Sequence, residues 1–331
     1  MNFFKQKVES EKKTEINFLF KIIKYIKTEN YKKIFLFGLP IVKKNINDYK
    51  KVYILGVPFS YNFNKKIARN KSVTQIELLK NMIMMNTRIL RTYISSNQAT
   101  IIHPKTFGEY KGCFADKDIV IVACGPTISF YSPQKNAVFI GINRAFKVNN
   151  IMFDFLFAQD QFLEGMEEIN SYRKGKCKKF YGWLGTERTK EVPGVSRIRP
   201  KEFQQSGASM YILEDIAQGN WAVHLPMEPL GDFQGAVFSA LQFSCFTNPK
   251  RIFLVGCDCS SNYFYDNSAG IGFSYQLNSW RKFKNFVSTY YPEIEIISIN
   301  PVVLRGLFHD VYTQSYLKEH PELNEVEVLY E

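Results

Sequence analysis

The sequence predicts an α/β protein whose core is a doubly wound, mostly parallel β-sheet. Short apolar runs typical of buried strands recur from residue 118 onward, helical segments separate several of them, and polar residues follow four of them directly. Alternating buried strands and helices are characteristic of parallel sheets with right-handed crossovers. With 331 residues, 45% of them hydrophobic, the chain is long and apolar enough to bury such a core.

The excess positive charge lies in the first 71 residues. They hold 17 Lys and Arg against 5 Asp and Glu, whereas the remaining 260 residues hold 26 of each, and the whole chain carries +12. A nucleic-acid-binding domain would spread its basic residues over the folded surface, so we expect no nucleic-acid partner. We instead predict that residues 1–71 form a basic N-terminal helix/hairpin arm that binds an anionic membrane surface.

Two patterns define this arm. Apolar residues at near-helical spacing from Glu15 to Lys27 predict an amphipathic helix, lying either on an anionic membrane or on the main domain. The segment Lys33–Pro40 returns eighteen residues later as Lys51–Pro58, and each copy reads as a strand that ends in Gly-x-Pro. We expect the two strands to pair as a hairpin.

A helical connector is predicted over residues 72–115. Ser72 can cap a helix that runs to about Ser95, with apolar side chains along one side. Such a helix either bridges two parts of the subunit or forms the seam of a homo-oligomer. Because Asn86 interrupts the coiled-coil register, we favour a structural connector.

The α/β domain is assigned to residues 116–331. Its strands are predicted at 118–123, 137–142, 153–158, 177–182, 251–256 and 294–299, with helices at 233–246 and 277–290. The first strand runs into Gly125 and Pro126, and Thr127 and Ser129 could cap a following helix. This arrangement either directs backbone N–H groups at a phosphate or forms a plain tight turn.

Ligands of such sheets bind beyond the carboxyl ends of the strands. The residues at those ends are Cys124–Pro126, Asn143–Arg144, Gln159–Asp160 and Cys257–Asp258. Glycine would let a phosphate approach the backbone, Asn143 suits sugar hydroxyls, and the two Asp carboxylates can accept ribose hydroxyls, act as bases or ligate a cation. Residues 260–272 form a polar loop that could act as a lid and that carries Tyr263 and Tyr265.

The six cysteines fit neither a disulfide framework nor a zinc motif, so we expect buried thiols in a reducing cytoplasm and no metal site. Neither a signal peptide nor an apolar stretch long enough to span a bilayer is apparent. His103 and His224 are interpreted as structural, whereas Arg144 could pair with a phosphate or carboxylate.

Four short motifs carry a resemblance to a known family. They are Gly125–Ser129, Gly141–Asn143, Gly235–Val237 and Leu254–Asp258. Over about residues 118–300 the chain resembles the bacterial CMP-sialic-acid sialyltransferases of glycosyltransferase family 42. It is also similar to a related Rossmann-type family that includes 6-hydroxymethylpterin pyrophosphokinase-like proteins and motility-associated sugar transferases.

The resemblance implies a Rossmann-like catalytic domain of a variant GT-A type. It further implies metal-independent, inverting transfer of a sugar from a nucleotide donor to a glycan or lipid-linked glycan acceptor of the bacterial surface. CMP-sialic acid or a CMP-Kdo-like donor is favoured, and a nucleoside diphosphate sugar is the alternative. No cofactor is expected besides this donor. Residues carried to the donor site are Cys124, Gly125, Pro126, Thr127, Asn143, Arg144, Asp160, Gln234 and Gly235. Asp258 would lie at the cytidine or acceptor end, and Tyr263 or Tyr265 would steady the departing phosphate.

The catalytic base stays open at this point. The family's catalytic histidine lies in the lid, but this sequence has no His between residues 225 and 308. His309 follows the last predicted strand and is the first candidate, with Asp258 and Asp160 as alternatives. The alternative functions are an Mg²⁺-dependent pterin or nucleotide pyrophosphokinase and a non-catalytic binding protein. We expect a cytoplasmic enzyme, peripheral to the inner membrane.

Overall fold

The computed structural model describes most of the chain. The described residues comprise seven strands between residues 6 and 61, followed by residues 68–159, 168–184, 209–214, 220–260, 262–265, 272, 274–323 and 326–329. The chain divides into two units, Met1–Met85 and Asn86–Glu331. This division falls inside a long helix, α1, which spans Ala68–Phe107.

The first unit contains a seven-stranded antiparallel sheet in which each strand pairs with the next along the chain. The strands are β1 (Gln6–Ser10), β2 (Lys13–Phe18), β3 (Ile23–Thr28), β4 (Tyr31–Leu36), β5 (Leu39–Ile46), β6 (Tyr49–Ile54) and β7 (Val57–Tyr61). Consecutive pairing through short connections makes this sheet a β-meander.

Two predictions for this region are wrong. The amphipathic helix expected from Glu15 to Lys27 is replaced by the paired strands β2 and β3. Isoleucine and aromatic side chains at near-helical spacing also suit strands, and pairing on both sides of β3 overrides the helical pattern. The two Gly-x-Pro strands, β4 and β6, do not pair with each other, because β5 lies between them.

The eighteen-residue repeat extends further than the sequence pattern showed. Strands β2, β4 and β6 begin at Lys13, Tyr31 and Tyr49, so successive starts are eighteen residues apart. The repeating unit is therefore a pair of antiparallel strands. The two Gly-x-Pro segments are the copies whose sequences match each other best.

The α1 helix has 40 residues and extends well beyond the predicted Ser72–Ser95. His103 and Phe107, near its end, are fully buried. The backbone N–H of Ile212 donates to Nε2 of His103 at 2.7 Å, and Nδ1 lies 2.7 Å from the carbonyl oxygen of Leu225. The ring is therefore neutral and donates through Nδ1, and burial lowers its pKa to about 4. His103 thus has the structural role that we predicted.

The second unit is built on a nine-stranded sheet in which all pairings are parallel. Its strands are β8 (Asp118–Val122), β9 (Val138–Ile142), β10 (Phe155–Ala158), β11 (Lys178–Leu184), β12 (Ser209–Glu214), β13 (Leu230–Gly231), β14 (Arg251–Val255), β15 (Glu295–Ile299) and β16 (His309–Val311). The six predicted strands are confirmed, and β12, β13 and β16 are additional. The predicted doubly wound, Rossmann-like α/β class is confirmed.

The strand order of this sheet reverses direction at β8. From β8 the chain adds β9 to β13 on one side, then returns to place β14, β15 and β16 on the other, giving the order β13-β12-β11-β10-β9-β8-β14-β15-β16. The neighbours β8 and β14 are thus remote in sequence but paired, from Arg251 opposite Asp118 to Val255 opposite Val122. Their carboxyl ends form a topological switch point.

Both faces of the sheet are covered by apolar residues. Along β8, Ile119 and Ile121 join one core cluster while Val120 and Val122 join the other, as alternation along a strand requires. Helix α2 (Ala236–Phe246) is buried over its whole length, and α3 (Leu277–Tyr290) buries one face. A short helix, α4 (Gln314–Glu319), follows β16. Within the described residues, none of the helices is both long and apolar enough to cross a bilayer.

Candidate functional site

A cavity of about 320 Å³ lies at the switch point of the parallel sheet. Its walls come from the segments that follow β8, β9 and β14 and from the start of α2. The lining residues are Ala123, Cys124, Gly125, Ile142, Asn143, Arg144, Gln234, Gly235, Ala236, Val237, Gly256, Cys257, Asp258, Cys259, Ser260, Asn262, Tyr263, Tyr265, Gln276 and Trp280. The volume lies at the lower end of the range for small-molecule sites.

The turn after β8 is not a phosphate cradle. The N–H of Gly125 donates to the carbonyl oxygen of Gly256 at 2.8 Å, so it does not point at a ligand. A side chain at Gly125 would collide with the Asp258 carboxylate and would lie 2.6 Å from that same carbonyl oxygen. The expected helix after Gly125 is only a five-residue 3₁₀ turn, Pro126–Phe130. Glycine is needed here for close packing between two loops.

Asp258 and Thr127 fasten those loops together. The backbone N–H of Thr127 donates to Asp258 Oδ2 at 2.9 Å, and its hydroxyl donates to Oδ1. Burial raises the pKa of Asp258 to about 6, although both hydrogen bonds from Thr127 oppose this shift. Neither Pro126 nor the buried Thr127 is part of the described cavity wall, and Thr127 supports that wall through its hydrogen bonds to Asp258.

Three cysteines border the cavity, and all three are held as thiols. The Sγ of Cys124 donates to the carbonyl oxygen of Ile142 at 3.3 Å, and burial raises its pKa to about 12. Burial also raises the pKa of Cys259 to about 11 and that of Cys257 well above its ordinary value. Neutral thiols are poor nucleophiles and poor metal ligands, so they act as apolar wall. Across the described part of the chain, no group of three or more potential ligands could hold a metal ion.

The amino end of α2 opens onto the cavity. Gly235 precedes the helix in an extended conformation, and Phe233 and Gln234 adopt positive φ angles of 42° and 64°. The carboxamide of Gln276 donates to the carbonyl oxygen of Gln234 at 2.7 Å and occupies the space that a side chain at Gly235 would need. Gly235, Ala236 and Val237 line the cavity, so the amino end of an eleven-residue helix, which carries the partial positive charge of the helix dipole, borders it.

The segment after β9 supplies the opposite wall. Asn143 lines the cavity with a positive φ of 50°, and its Oδ1 accepts from the N–H of Gln159 at 3.3 Å. The Arg144 guanidinium lies 5.8 Å from the ring centre of Tyr265. Backbone strain at non-glycine residues tends to collect at binding sites, and Asn143, Gln234 and Cys259 all show it here.

Both predicted lid tyrosines reach the cavity. The rings of Tyr263 and Tyr265 stack with centroids 5.3 Å apart, and the N–H of Phe264 donates to the carbonyl oxygen of Cys124 at 3.0 Å. Burial raises the pKa of Tyr265 to about 12, so its hydroxyl is protonated at neutral pH. Nearby, the hydroxyl of Ser260 is buried and has no hydrogen-bond partner among the described residues. The remaining residues of the loop, 261 and 266–271, lie outside the described residues.

The structure corrects the expected position of His309. This residue begins β16, at the opposite end of that strand from the cavity edge, and it is exposed. Its ring nitrogens each lie 2.7 Å from a carboxylate oxygen, of Glu295 and of Glu327, and these hydrogen bonds raise its pKa. His309 was expected to follow the last strand of the sheet, β15, at its carboxyl end. Instead it begins a further parallel strand, β16, and is not part of the described cavity wall.

Other predicted residues have different outcomes. Asp160 lies outside the described residues. His224 is exposed, its backbone N–H donates to Glu228 at 2.9 Å, and it is not among the described residues of the cavity wall. Gln276 was missed, since it precedes a helix and the strand-end rule does not cover such positions. Among the described lining residues Asp258 is the only carboxylate and Arg144 the only cation.

Comparisons with known proteins return little. No protein-family model matches the chain, and no curated protein matches it. Among solved structures, the chain is similar to the MAf glycosyltransferase from Magnetospirillum magneticum AMB-1, with 10% sequence identity and a TM-score of 0.39. The match covers 57% of this chain and 32% of that protein, so this chain spans about a third of its length. At this distance the likeness assigns no activity.

Proposed function

We propose that this chain is a glycosyltransferase that takes its sugar from a nucleotide-activated donor. The observation that carries the proposal is the cavity at the switch point between β8 and β14, onto which the amino end of α2 opens. Nucleotides bind at this place in doubly wound sheets, with their phosphates at a helix N-terminus. The four motifs that resemble family 42 sialyltransferases border the same cavity or support its wall.

In this proposal the donor phosphate lies against the first turn of α2, at Ala236 and Val237. The amide group of Asn143 donates to hydroxyls of the donor, and the hydroxyls of Tyr263 and Tyr265 donate to the departing phosphate. These tyrosines are supported by the tie between Phe264 and Cys124. The buried hydroxyl of Ser260 is a further hydrogen-bonding group that a ligand would satisfy.

The charges of the cavity wall favour a donor with a single phosphate. With the ionised Asp258 counted, Arg144 and the partial charge of α2 leave the described wall a net positive charge of only about +0.5, which suits a nucleoside monophosphate sugar such as a CMP-sugar better than a pyrophosphate donor. A pyrophosphate is ordinarily neutralised by Mg²⁺ or by several cations.

Asp258 is the candidate base. Its pKa of about 6 makes it more basic than an ordinary carboxylate while leaving it ionised at neutral pH. In an inverting displacement, the acceptor hydroxyl oxygen attacks the anomeric carbon, the bond from that carbon to the phosphate oxygen breaks, and the proton passes to Asp258. The products are the glycoside and free CMP.

The basic residues 1–71 would keep the enzyme on the cytoplasmic face of the membrane, near a lipid-linked acceptor of a surface glycan.

Calorimetric titration of the full chain with CMP, UDP and GDP tests the proposal. We expect CMP to bind most tightly, and EDTA to leave its affinity unchanged. A failure of all three nucleotides to bind would refute the nucleotide site. Binding of CMP without release of CMP from any CMP-sugar, across a panel of glycan acceptors, would instead favour a non-catalytic binding protein.

A further inference from the structure

Trp280 brings a buried indole N–H to the wall of the cavity. This residue belongs to α3, is 1% exposed and lines the cavity. Its Nε1–H has no hydrogen-bond partner among the described residues. Buried donors are nearly always paired in folded proteins, so an unpaired donor in the wall of a cavity indicates that a bound molecule accepts a hydrogen bond there.

The indole lies beside the amino end of α2. Four residues before Trp280, the carboxamide of Gln276 donates to the carbonyl oxygen of Gln234, and its Nε2 lies 2.9 Å from the Cβ position of Gly235. The centre of the Trp280 ring lies 5.0 Å from that of Phe238, in the first turn of α2. The start of α3 and the start of α2 therefore form one corner of the cavity.

The segment after β14 completes this corner. Burial raises the pKa of the Cys259 thiol to about 11, and a contact with the Trp280 indole opposes this shift. A thiol is a weak acceptor, and the contact is not a hydrogen bond of normal geometry. The next residue, Ser260, has the other unpaired buried side-chain oxygen or nitrogen among the described residues of the wall. We call the group formed by Gly235–Val237, Ser260 and Trp280 the α2 corner.

The α2 corner has the chemistry of an oxyanion site. An indole N–H and the first N–H groups of a helix can only donate, and a serine hydroxyl can donate as well. A phosphate oxygen is an acceptor that also gains from the partial positive charge of the helix. The base of a nucleotide, in contrast, presents donors as well as acceptors along its edges.

We infer that Trp280 is a phosphate-binding residue, whose indole N–H donates to a phosphate oxygen of the bound nucleotide beside the first turn of α2. The hydroxyl of Ser260 donates to the same phosphate. This inference rests on the proposed nucleotide site and adds to it a residue that lies within a helix. Because the indole is neutral, it binds the phosphate without adding to the small net charge of the described wall, which suits a single phosphate.

Calorimetric titration of the full chain with CMP and with cytidine, which lacks the phosphate, tests this inference. Trp280→Phe removes the N–H but keeps an aromatic ring, and should weaken CMP binding about tenfold while leaving cytidine binding unchanged. Trp221→Phe is the matched control. Trp221 packs against the same rings as Trp280, those of Phe238 and Phe283, but is not among the described residues of the cavity wall. It should leave both affinities unchanged.

Nuclear magnetic resonance of the unsubstituted chain, labelled with ¹⁵N-tryptophan, gives a second measurement that does not depend on how Trp280→Phe folds. The chain has three tryptophans, so the indole signal of Trp280 is assigned by elimination with Trp183→Phe and Trp221→Phe. We expect CMP and inorganic phosphate to shift this signal, and cytidine to shift it much less.

Equal losses of CMP and cytidine affinity in Trp280→Phe would overturn the inference, because the indole would then contact the nucleoside. Unchanged CMP affinity in Trp280→Phe would overturn it while leaving the proposed nucleotide site intact. A Trp280 signal that neither CMP nor inorganic phosphate shifts would also overturn it. If inorganic phosphate shifts the signal but no nucleotide binds, the α2 corner is an oxyanion site and the proposed function is wrong.

Discussion

Gly125 shows that a residue can be identified correctly as part of a site for the wrong reason. Its backbone was expected to approach a phosphate, but the space beside it is filled by Asp258 and Gly256. We predict that Gly125→Ala lowers the free energy of unfolding by about 1–3 kcal/mol, since the new methyl group overpacks two loops. Gly108→Ala is the control, because nothing lies within 4 Å of its Cβ position. Urea denaturation measures both, and equal stabilities would contradict the packing explanation.

The low pKa of the buried His103 predicts that the free energy of unfolding depends on pH. In the folded chain its pKa is about 4, whereas an unfolded histidine titrates near 6.5. Between these values the unfolded state binds more protons, so the contribution of His103 to stability is present above about pH 6.5 and falls towards pH 4. The full loss is about 3 kcal/mol. Asp258 acts in the opposite direction, because its raised pKa favours the folded state as pH falls below about 6.

Comparison with His103→Leu separates the two effects, since Asp258 contributes equally to both proteins. At pH 7 the variant should be less stable, because the Ile212 N–H and the Leu225 carbonyl oxygen lose their partner. The difference between the two proteins should shrink by about 3 kcal/mol as the pH falls to 4. A difference that stays constant in urea titrations at both pH values would exclude a neutral, buried His103.

At the scale of elements, the buried parallel strands were largely predictable, whereas of the antiparallel strands only β4 and β6 were. An apolar run such as Ile119–Val122 indicates a buried parallel strand, because such a strand needs apolar residues on both of its faces. In β2 and β3 the apolar residues fit a helix or a strand equally, and only pairing with neighbouring strands decides between them. The two-residue β13 is too short to leave any pattern.

The part of the cavity wall that is formed by residues at strand ends was predictable from the sequence. Asn143, Arg144 and Asp258 follow strands, and the parallel sheet brings them to one edge. Gln276 escaped prediction, since its role comes from a contact with Gln234, 42 residues away in the chain. His309 was misplaced because β16 could not be foreseen: three residues with one buried side chain give no periodicity.

Substitution of Gln276 tests whether the amino end of α2 binds the donor phosphate, as we propose. Its carboxamide holds the carbonyl oxygen of Gln234, which precedes the helix in a strained conformation. We predict that Gln276→Ala weakens CMP binding about tenfold, because the first turn of α2 is no longer held in place. Gln276→Glu should weaken it further, since a carboxylate would face that carbonyl oxygen. The exposed Asn278→Ala, two residues on, should leave the affinity measured by calorimetry unchanged, and a similar loss there would argue against a specific role.

At the scale of the whole molecule, the net charge and the proposed nucleotide site belong to different parts of the chain. Residues 1–71 carry the entire net charge of +12, and the described residues that line the cavity all come after residue 86. We therefore predict that deletion of residues 1–71 abolishes sedimentation with vesicles rich in anionic lipid but preserves CMP affinity. Binding of the full chain should weaken as salt rises from 0.05 to about 0.5 M, because the Debye length shrinks. Neutral vesicles serve as the control, and retention of anionic-vesicle binding by the shortened chain would show that the basic arm is not the membrane contact.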